Sequence, residues 1–339
     1  MKRVPSDRGT ARGIGAAVAT LFVVAVTTAC SVSAGAPNAT AQPADDGARI
    51  VSIQMLDSRT RDLTIESPAV GSVKVRLLVP SDFESSSNQL PMLMLLHGGG
   101  GEYPDWTDET AVETYTAAVE VLVAMPDAQS SNIETMTPQP DGTGQRGPHD
   151  WEQFHLTELP QLLQRNWRAS PVQAVGGLSL GGYSAMMYTA RHPGMFAATA
   201  SFSGVLDITA GTDRPPSVAD VIAQVEQTAD EANWPDANPI DLVPALHGAT
   251  LFISYGNGQP GPLDQPGAAP DELEAWVGAG DDNFVQALRT AGISATVDAY
   301  GPGTHSWVYW DRELKQALPL ILHSLRAGPA PSADTAAKR

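Results

Sequence analysis

Apolar positions along this 339-residue chain fall into two kinds of short run. In Arg49–Met55, Leu63–Ser67 and Ser72–Val79, apolar and polar residues alternate, which predicts antiparallel strands with one buried face. Pro91–Leu96 is apolar throughout, and Glu120–Met125, Val172–Gly177, Ala197–Phe202, Ala249–Tyr255 and Ser294–Tyr300 repeat that style. Such runs predict central strands buried on both faces. Between them, Asp150–Trp167, Gly181–His192, Asp271–Ala291 and Arg312–Leu325 carry helical spacing. Strands alternating with helices predict an α/β fold, with a mostly parallel sheet covered on both sides. Ser203–Leu246, rich in Pro, Asp and Ala, is expected as an inserted cap, and no internal repeat is present.

The two ends read differently. Lys2, Arg3, Arg8 and Arg12 precede an apolar run from Ile14 to Ala29, too short for a comfortable membrane span. That is the pattern of an export signal over residues 1–30. The single cysteine, Cys30, closes it in Val26-Thr27-Thr28-Ala29-Cys30, which resembles a lipoprotein signal with Cys30 as the lipidated residue. A rival cut after Ala34-Gly35-Ala36 would remove Cys30 and release a soluble protein. Residues 31–48 are expected as a flexible linker, 49–326 as the folded domain, and 327–339 as a disordered tail. A net charge of −18 argues against a nucleic-acid partner, whose phosphates need a basic patch. The oligomeric state is not legible.

The chemistry enters at Gly177-Leu178-Ser179-Leu180-Gly181, a G-x-S-x-G motif between an apolar strand and a helix. This strand–turn–helix setting is the nucleophile elbow of the α/β-hydrolase fold, with Ser179 exposed on a turn too tight for larger neighbours. A serine nucleophile needs a base, and the base needs a carboxylate that holds its tautomer. The expected chain order is Ser, acid, His. After the cap, His305 lies in a Gly-rich loop behind the last strand, whereas His323 falls within an amphipathic helix. His305 is therefore the expected base. By order Asp264, Asp271, Glu272, Glu274, Asp281 and Asp282 all qualify as the acid. Asp282 is preferred as the opening of Asp282-Asn283-Phe284-Val285, although order alone leaves Asp281 and Asp282 about even. The oxyanion hole is expected from the backbone N–H of Leu180 and from Gly99, in His97-Gly98-Gly99-Gly100-Gly101. No H-E-x-x-H, paired cysteines, Ca²⁺ loop or dinucleotide fingerprint occurs, so no metal or cofactor is expected.

Asp150-Trp151-Glu152-Gln153-Phe154, Thr157-Glu158-Leu159-Pro160, Gly177–Met187, Leu251–Gln259 and Thr304-His305-Ser306-Trp307-Val308-Tyr309-Trp310 together resemble the esterase D superfamily. The similarity runs from about Arg49 to Leu325 and leans toward the secreted mycolyltransferases and related esterases. It implies Ser179, Asp282 and His305 as the triad, Gly99 and Leu180 as oxyanion donors, and substrate-binding places at His97 and Trp307. The mycolyltransferases carry an aspartate and an arginine that hold trehalose where this chain has His97 and Gly100. They also have a disulfide this chain lacks, and Thr137–Pro148 is built differently. The His-Gly-Gly-Gly loop is closer to ordinary carboxylesterases.

The first expectation is thus an exported serine carboxylic-ester hydrolase acting on a small-molecule or lipid ester, tethered to a membrane if Cys30 is lipidated. The second is an acyltransferase that moves a long acyl chain to a sugar or glycerol. A third, from a different class, is a non-catalytic surface binding protein on a hydrolase scaffold.

Overall fold

The computed structural model describes residues 41–128, 150–211 and 236–328, all within one compact unit of the chain. The expected export signal, Cys30, Thr137–Pro148, the middle of the expected cap and the tail beyond 328 lie outside the described residues. Strands β1 (Arg49–Met55), β2 (Thr60–Ser67) and β3 (Gly71–Leu78) form an antiparallel set, as their alternation requires. β3 pairs antiparallel with β5 (Leu122–Pro126). From β5 onward every pairing is parallel, through β4 (Leu90–Leu96), β6 (Ala169–Leu178), β7 (Phe196–Phe202), β8 (Leu251–Gly256) and β9 (Thr296–Gly301). The nine strands stand in the order β1-β2-β3-β5-β4-β6-β7-β8-β9.

Alternate residues of a strand point to opposite faces, and both faces are filled. On one side Leu93 and Leu95 of β4 and Phe202 of β7 meet Trp310, Leu314, Leu318 and Ile321 of the final helix α6 (Trp307–Ala327). Helices α1 (Asp105–Glu109) and α2 (Val112–Thr116) share that side through Trp106 and Val112. On the other side Met94 and Leu96 meet Tyr183, Ala185 and Met187 of α4 (Leu180–Arg191). There α3 packs as well, a helix running from Trp151 to Asn166 with a π-helical stretch at Phe154–Glu158. Farther along that side Phe284, Val285 and Leu288 of α5 (Glu272–Thr290) cover Leu251, Ile253 and Tyr255 of β8. The described end of the expected cap is a 3₁₀ segment, Pro239–Leu246, lying against α4 and α5.

The linker expectation needs correction at its C-terminal end. Ala44 and Ala48 are buried in the main core, and Asn166 brackets Gln42 with two hydrogen bonds, at 2.7 and 2.8 Å. The Arg165 guanidinium adds bonds to the Pro43 carbonyl and the Asp45 carboxylate. The folded unit therefore takes in residues from Gln42 onward, because two small apolar side chains there fill space beside α3.

Strand order fixes where a site can form. The chain leaves β4, places β5 on one side of it, and then returns to place β6 on the other. Crevices for ligands open at the carboxyl ends of the strands at such a reversal. At this one stand Leu96, with His97 beyond it, and Leu178, with Ser179 beyond it.

Candidate active site

Ser179 sits between β6 and α4 at φ 52°, ψ −119°, a conformation that costs a non-glycine residue on the order of 1–3 kcal/mol. Its surroundings impose the strain. The Ser179 N–H donates to the Phe202 carbonyl at 3.0 Å, while the Ser179 carbonyl accepts the Tyr183 N–H at 3.0 Å and begins α4. A Cβ on Gly177 would lie 2.3 Å from the Gly181 backbone, and a Cβ on Gly181 would lie 2.4 Å from the Leu96 carbonyl oxygen. Neither position admits a side chain, which is the physical content of the motif.

The glycine loop after β4 passes directly beside the serine. A Cβ on Gly98 would stand 3.1 Å from Ser179 Cβ. The Gly98 carbonyl turns inward, accepting from Gly101 N–H at 3.1 Å and from His97 Nδ1 at 2.8 Å. Gly99 and Gly100 are exposed. Among the described residues, no hydrogen bond engages the N–H of Gly99 or of Leu180, the first residue of α4. A backbone donor that follows Ser179 at a helix N-terminus, and a second in the glycine loop that passes beside it, suit an oxyanion.

His305 lies in the turn between β9 and α6, with its Nδ1 2.7 Å from Glu274 Oε2. Its ring stands edge-on to Trp310, with centroids 4.9 Å apart. Gly303 keeps this turn tight, since a Cβ there would meet Tyr300 at 2.5 Å and Tyr309 at 2.8 Å. The imidazole is 8% exposed and the Glu274 carboxylate wholly buried. Burial of a charge is tolerable only with compensating donors, and Glu274 has a full set. Its Oε1 accepts from Gly256 N–H at 2.6 Å, Ser203 Oγ at 2.9 Å and the Tyr300 hydroxyl at 3.2 Å. Ser203 in turn accepts from Trp310 Nε1 at 3.2 Å. Burial, with the Glu274 charge next, pushes the Tyr300 hydroxyl far above its ordinary value, so it remains a donor.

The acid expected from sequence is therefore corrected: the carboxylate facing His305 is Glu274, and Asp282 is elsewhere. Asp282 is exposed and accepts the Tyr255 hydroxyl at 2.6 Å. Helix α5 starts at the carboxyl edge of the sheet and runs away from it, so two turns carry Asp282 about 12 Å from Glu274 along the axis. Asp281 is buried, and neither of its oxygens has a partner among the described residues. Burial, and then the charges of Glu274 and Asp282, raise its carboxyl well above its ordinary value. The overlooked signal was Asp271-Glu272-Leu273-Glu274, which has the form of a helix capping box with its acidic fourth residue. Asp271 does cap α5, but the Glu274 side chain turns to His305 instead of back to the cap.

His97 is corrected as well. Its ring is 2% exposed, and Nε2 accepts the Ala128 N–H at 2.9 Å. The proton must then reside on Nδ1, which donates to Gly98. With Nε2 already accepting, the 3.4 Å approach of the Asp127 carboxylate to that atom is a near contact, not an ion pair. His97 braces the glycine loop from within and presents nothing to a substrate. Trp307, half-buried at the start of α6, packs edge-on against Trp106 at 5.3 Å and Trp310 at 5.2 Å. It stands two residues after His305, at the same edge of the sheet.

Known proteins give the family. The diacylglycerol acyltransferase/mycolyltransferase Ag85A of Mycobacterium ulcerans is 28% identical over 284 residues, covering 79% of this chain and 83% of its own. A Mycobacterium tuberculosis protein named as an esterase is 27% identical over 277 residues, covering 73% of this chain and 56% of its own. An S-formylglutathione hydrolase from Agrobacterium tumefaciens superposes with a TM-score of 0.65 over 81% of this chain and 99% of its own, at 15% identity, a likeness of fold. Residues 69–321 match the Esterase family, described as "Putative esterase". The chain belongs to that family and is an esterase or acyltransferase of the α/β-hydrolase fold.

Proposed function

We propose that the protein is an exported serine carboxylic-ester hydrolase that works through an acyl-enzyme on Ser179. The observation that carries this reading is the His305–Glu274 pair, 2.7 Å apart and held by buried donors, at the sheet edge that also presents Ser179 in a strained turn. With Nδ1–H donated to the carboxylate, His305 keeps its Nε2 lone pair free to take the Ser179 proton. Ser179 Oγ adds to the ester carbonyl, and the resulting oxyanion is met by the N–H groups of Leu180 and Gly99. Collapse of that adduct breaks the bond to the alkoxy oxygen, which leaves as an alcohol with the proton from His305. Water then adds to the acyl carbonyl carbon as it gives a proton to His305, and collapse of this second adduct breaks the bond to Ser179 Oγ, which takes that proton back as the acid leaves.

A second reading, transfer of the acyl group to an alcohol, is supported by the names of the acyltransferase relatives. Both reactions share the acyl-enzyme and differ in whether water or a bound alcohol reaches it first. Export, and a lipid anchor at Cys30, are supported by the basic and apolar pattern of residues 1–30.

The test is mass spectrometry of protein treated with a fluorophosphonate, combined with turnover of p-nitrophenyl butyrate. A single adduct on Ser179 with rapid turnover in water supports the hydrolase. Turnover that depends on added glycerol or sugar supports the transferase. Absence of an adduct refutes the serine mechanism.

A further inference from the structure

Asp271 precedes the first turn of α5 in an extended conformation, φ −104°, ψ 106°. One of its oxygens, Oδ1, accepts the N–H groups of Leu273 at 3.0 Å and Glu274 at 3.1 Å. That is an ordinary helix cap, which Ser, Thr or Asn would supply equally well. The second oxygen does something a cap does not require. Oδ2 accepts the backbone N–H of His305 at 2.9 Å. One carboxylate thus spans the backbone of both members of the acid–base pair, whose side chains meet at 2.7 Å.

The surrounding loops hold this carboxylate in place. Asp271 N–H donates to the Gly258 carbonyl at 2.7 Å, and Gly258 N–H donates to the Gly303 carbonyl at 3.0 Å. A Cβ on Gly258 would lie 2.2 Å from the Asp271 carbonyl oxygen, so the loop after β8 lies flat against the start of α5. The Asn257 N–H donates to the Gly301 carbonyl at 2.8 Å, tying that loop to the end of β9. We propose that Asp271 is a positioning residue that fixes the distance between Glu274 and His305 by bonding the backbone of each. This rests on the reading of Ser179, His305 and Glu274 as a triad.

The chemistry at the site selects a carboxylate. Three N–H donors converge on the Asp271 side chain, and bonds to an ionised acceptor are shorter and stronger than neutral ones. An amide could keep Oδ1 on the helix, but its NH₂ would then face the His305 N–H, donor against donor. A serine could cap the helix, but it has no second oxygen to reach His305.

The experiment therefore uses two variants that keep a cap, Asp271→Asn and Asp271→Ser, with Asp271→Ala as the uncapped control. Displacements near 1 Å at a reacting geometry cost up to about 100-fold, so kcat should fall about 10- to 100-fold in both capped variants, with KM unchanged. The rate of fluorophosphonate labelling at Ser179 should fall by the same factor. The downfield ¹H resonance of His305 Nδ1–H should shift, while Tm stays near that of the parent. Full kcat in both capped variants, with Ser179→Ala and Glu274→Gln inactive, would overturn the positioning role and leave the triad standing. A loss of rate accompanied by a Tm drop as large as that of Asp271→Ala would also overturn it, by reducing Asp271 to a cap. Retained turnover in Ser179→Ala would instead remove the triad on which the inference rests.

Discussion

Replacement of Glu274 by glutamine is nearly isosteric and separates two roles of the carboxylate. Glu274 receives three donors on Oε1 and one on Oε2, whereas glutamine has a single acceptor oxygen. The Gly256 N–H, at 2.6 Å, is fixed in the backbone and cannot turn away, so the amide oxygen should remain with it. The amide NH₂ then faces His305 Nδ1, which can meet it only as an acceptor. The imidazole proton moves to Nε2, and the lone pair needed by Ser179 is lost. The same tautomer error in another Ser–His–acid enzyme costs about 10⁴ in kcat. That corresponds to about 5.4 kcal/mol at 1.36 kcal/mol per decade. Steady-state hydrolysis of p-nitrophenyl butyrate should show that loss in Glu274→Gln, in protein whose circular dichroism spectrum matches the parent. Asp282→Asn should turn over normally, since an amide oxygen still accepts the Tyr255 hydroxyl now at 2.6 Å. Normal rates in Glu274→Gln alongside a hundredfold loss in Asp282→Asn would refute the tautomer argument and return the acid to position 282.

Other expectations follow from particular contacts. Ser179→Gly should abolish turnover yet raise Tm by a few degrees, because glycine adopts φ 52° without the penalty that serine carries, about 1–3 kcal/mol; a lower Tm would show that the turn is not strained. Gly181→Ala should yield insoluble or unfolded protein, since its Cβ would lie 2.4 Å from the Leu96 carbonyl oxygen, and a soluble, active variant would contradict that packing. Burial, more than any neighbouring group, raises both Glu158 and Glu313 to about 7 in the fold. Their ordinary value is 4.5, so between about 4.5 and 7 the folded chain holds protons that the unfolded chain has released, and stability should fall as pH rises through that window. Urea denaturation at pH 5 and pH 8 measures this, and a Glu158→Gln, Glu313→Gln double variant should flatten the difference. Asp281→Leu should be more stable than the parent at pH 8, because it replaces a buried carboxyl without partners among the described residues; a large destabilisation would reveal a bonded group there.

Much of this architecture could be read from side-chain pattern. β4, β7 and β8 are buried on both faces because helices cover both faces, and that continuous burial separates them from the alternating β2 and β3. The tight turn at Ser179 was legible because the glycines beside it are demanded by backbone contacts at 2.3 and 2.4 Å, so a steric rule was written directly in residue type. The place of His305 in a tight turn behind the last strand was legible from the glycines around it. The role of His97 was not. A histidine next to a glycine loop is equally suited to touch a ligand or to brace the loop, and only the Ala128 N–H on Nε2 decides between them. The packing of Gln42 to Ala48 was hidden for a related reason. Small and polar residues resemble a tether unless one knows that Asn166 and Arg165 lie opposite them.

Glu274 as the carboxylate that faces His305 was missed because chain order constrains such a partner to a segment but not to a height on the helix. All of α5 follows β8 and precedes β9, so every carboxylate on it satisfies the order. The direction of a crossover helix supplies the missing constraint. A helix that returns the chain between parallel strands must start at their carboxyl edge and descend, at about 1.5 Å per residue. Only its first turn can reach a site at that edge, which admits Glu272 and Glu274 with the cap residue Asp271 and excludes Asp281 and Asp282. Among those three, Asp271 is bound to the helix backbone and to the backbone of His305, and Glu274 is the one whose side chain reaches the imidazole. The same geometry explains why the Asp281 carboxyl is raised well above its ordinary value. Two turns below the edge it meets the apolar packing of α5 on β8, where a second negative charge near Glu274 would oppose the one that orients His305.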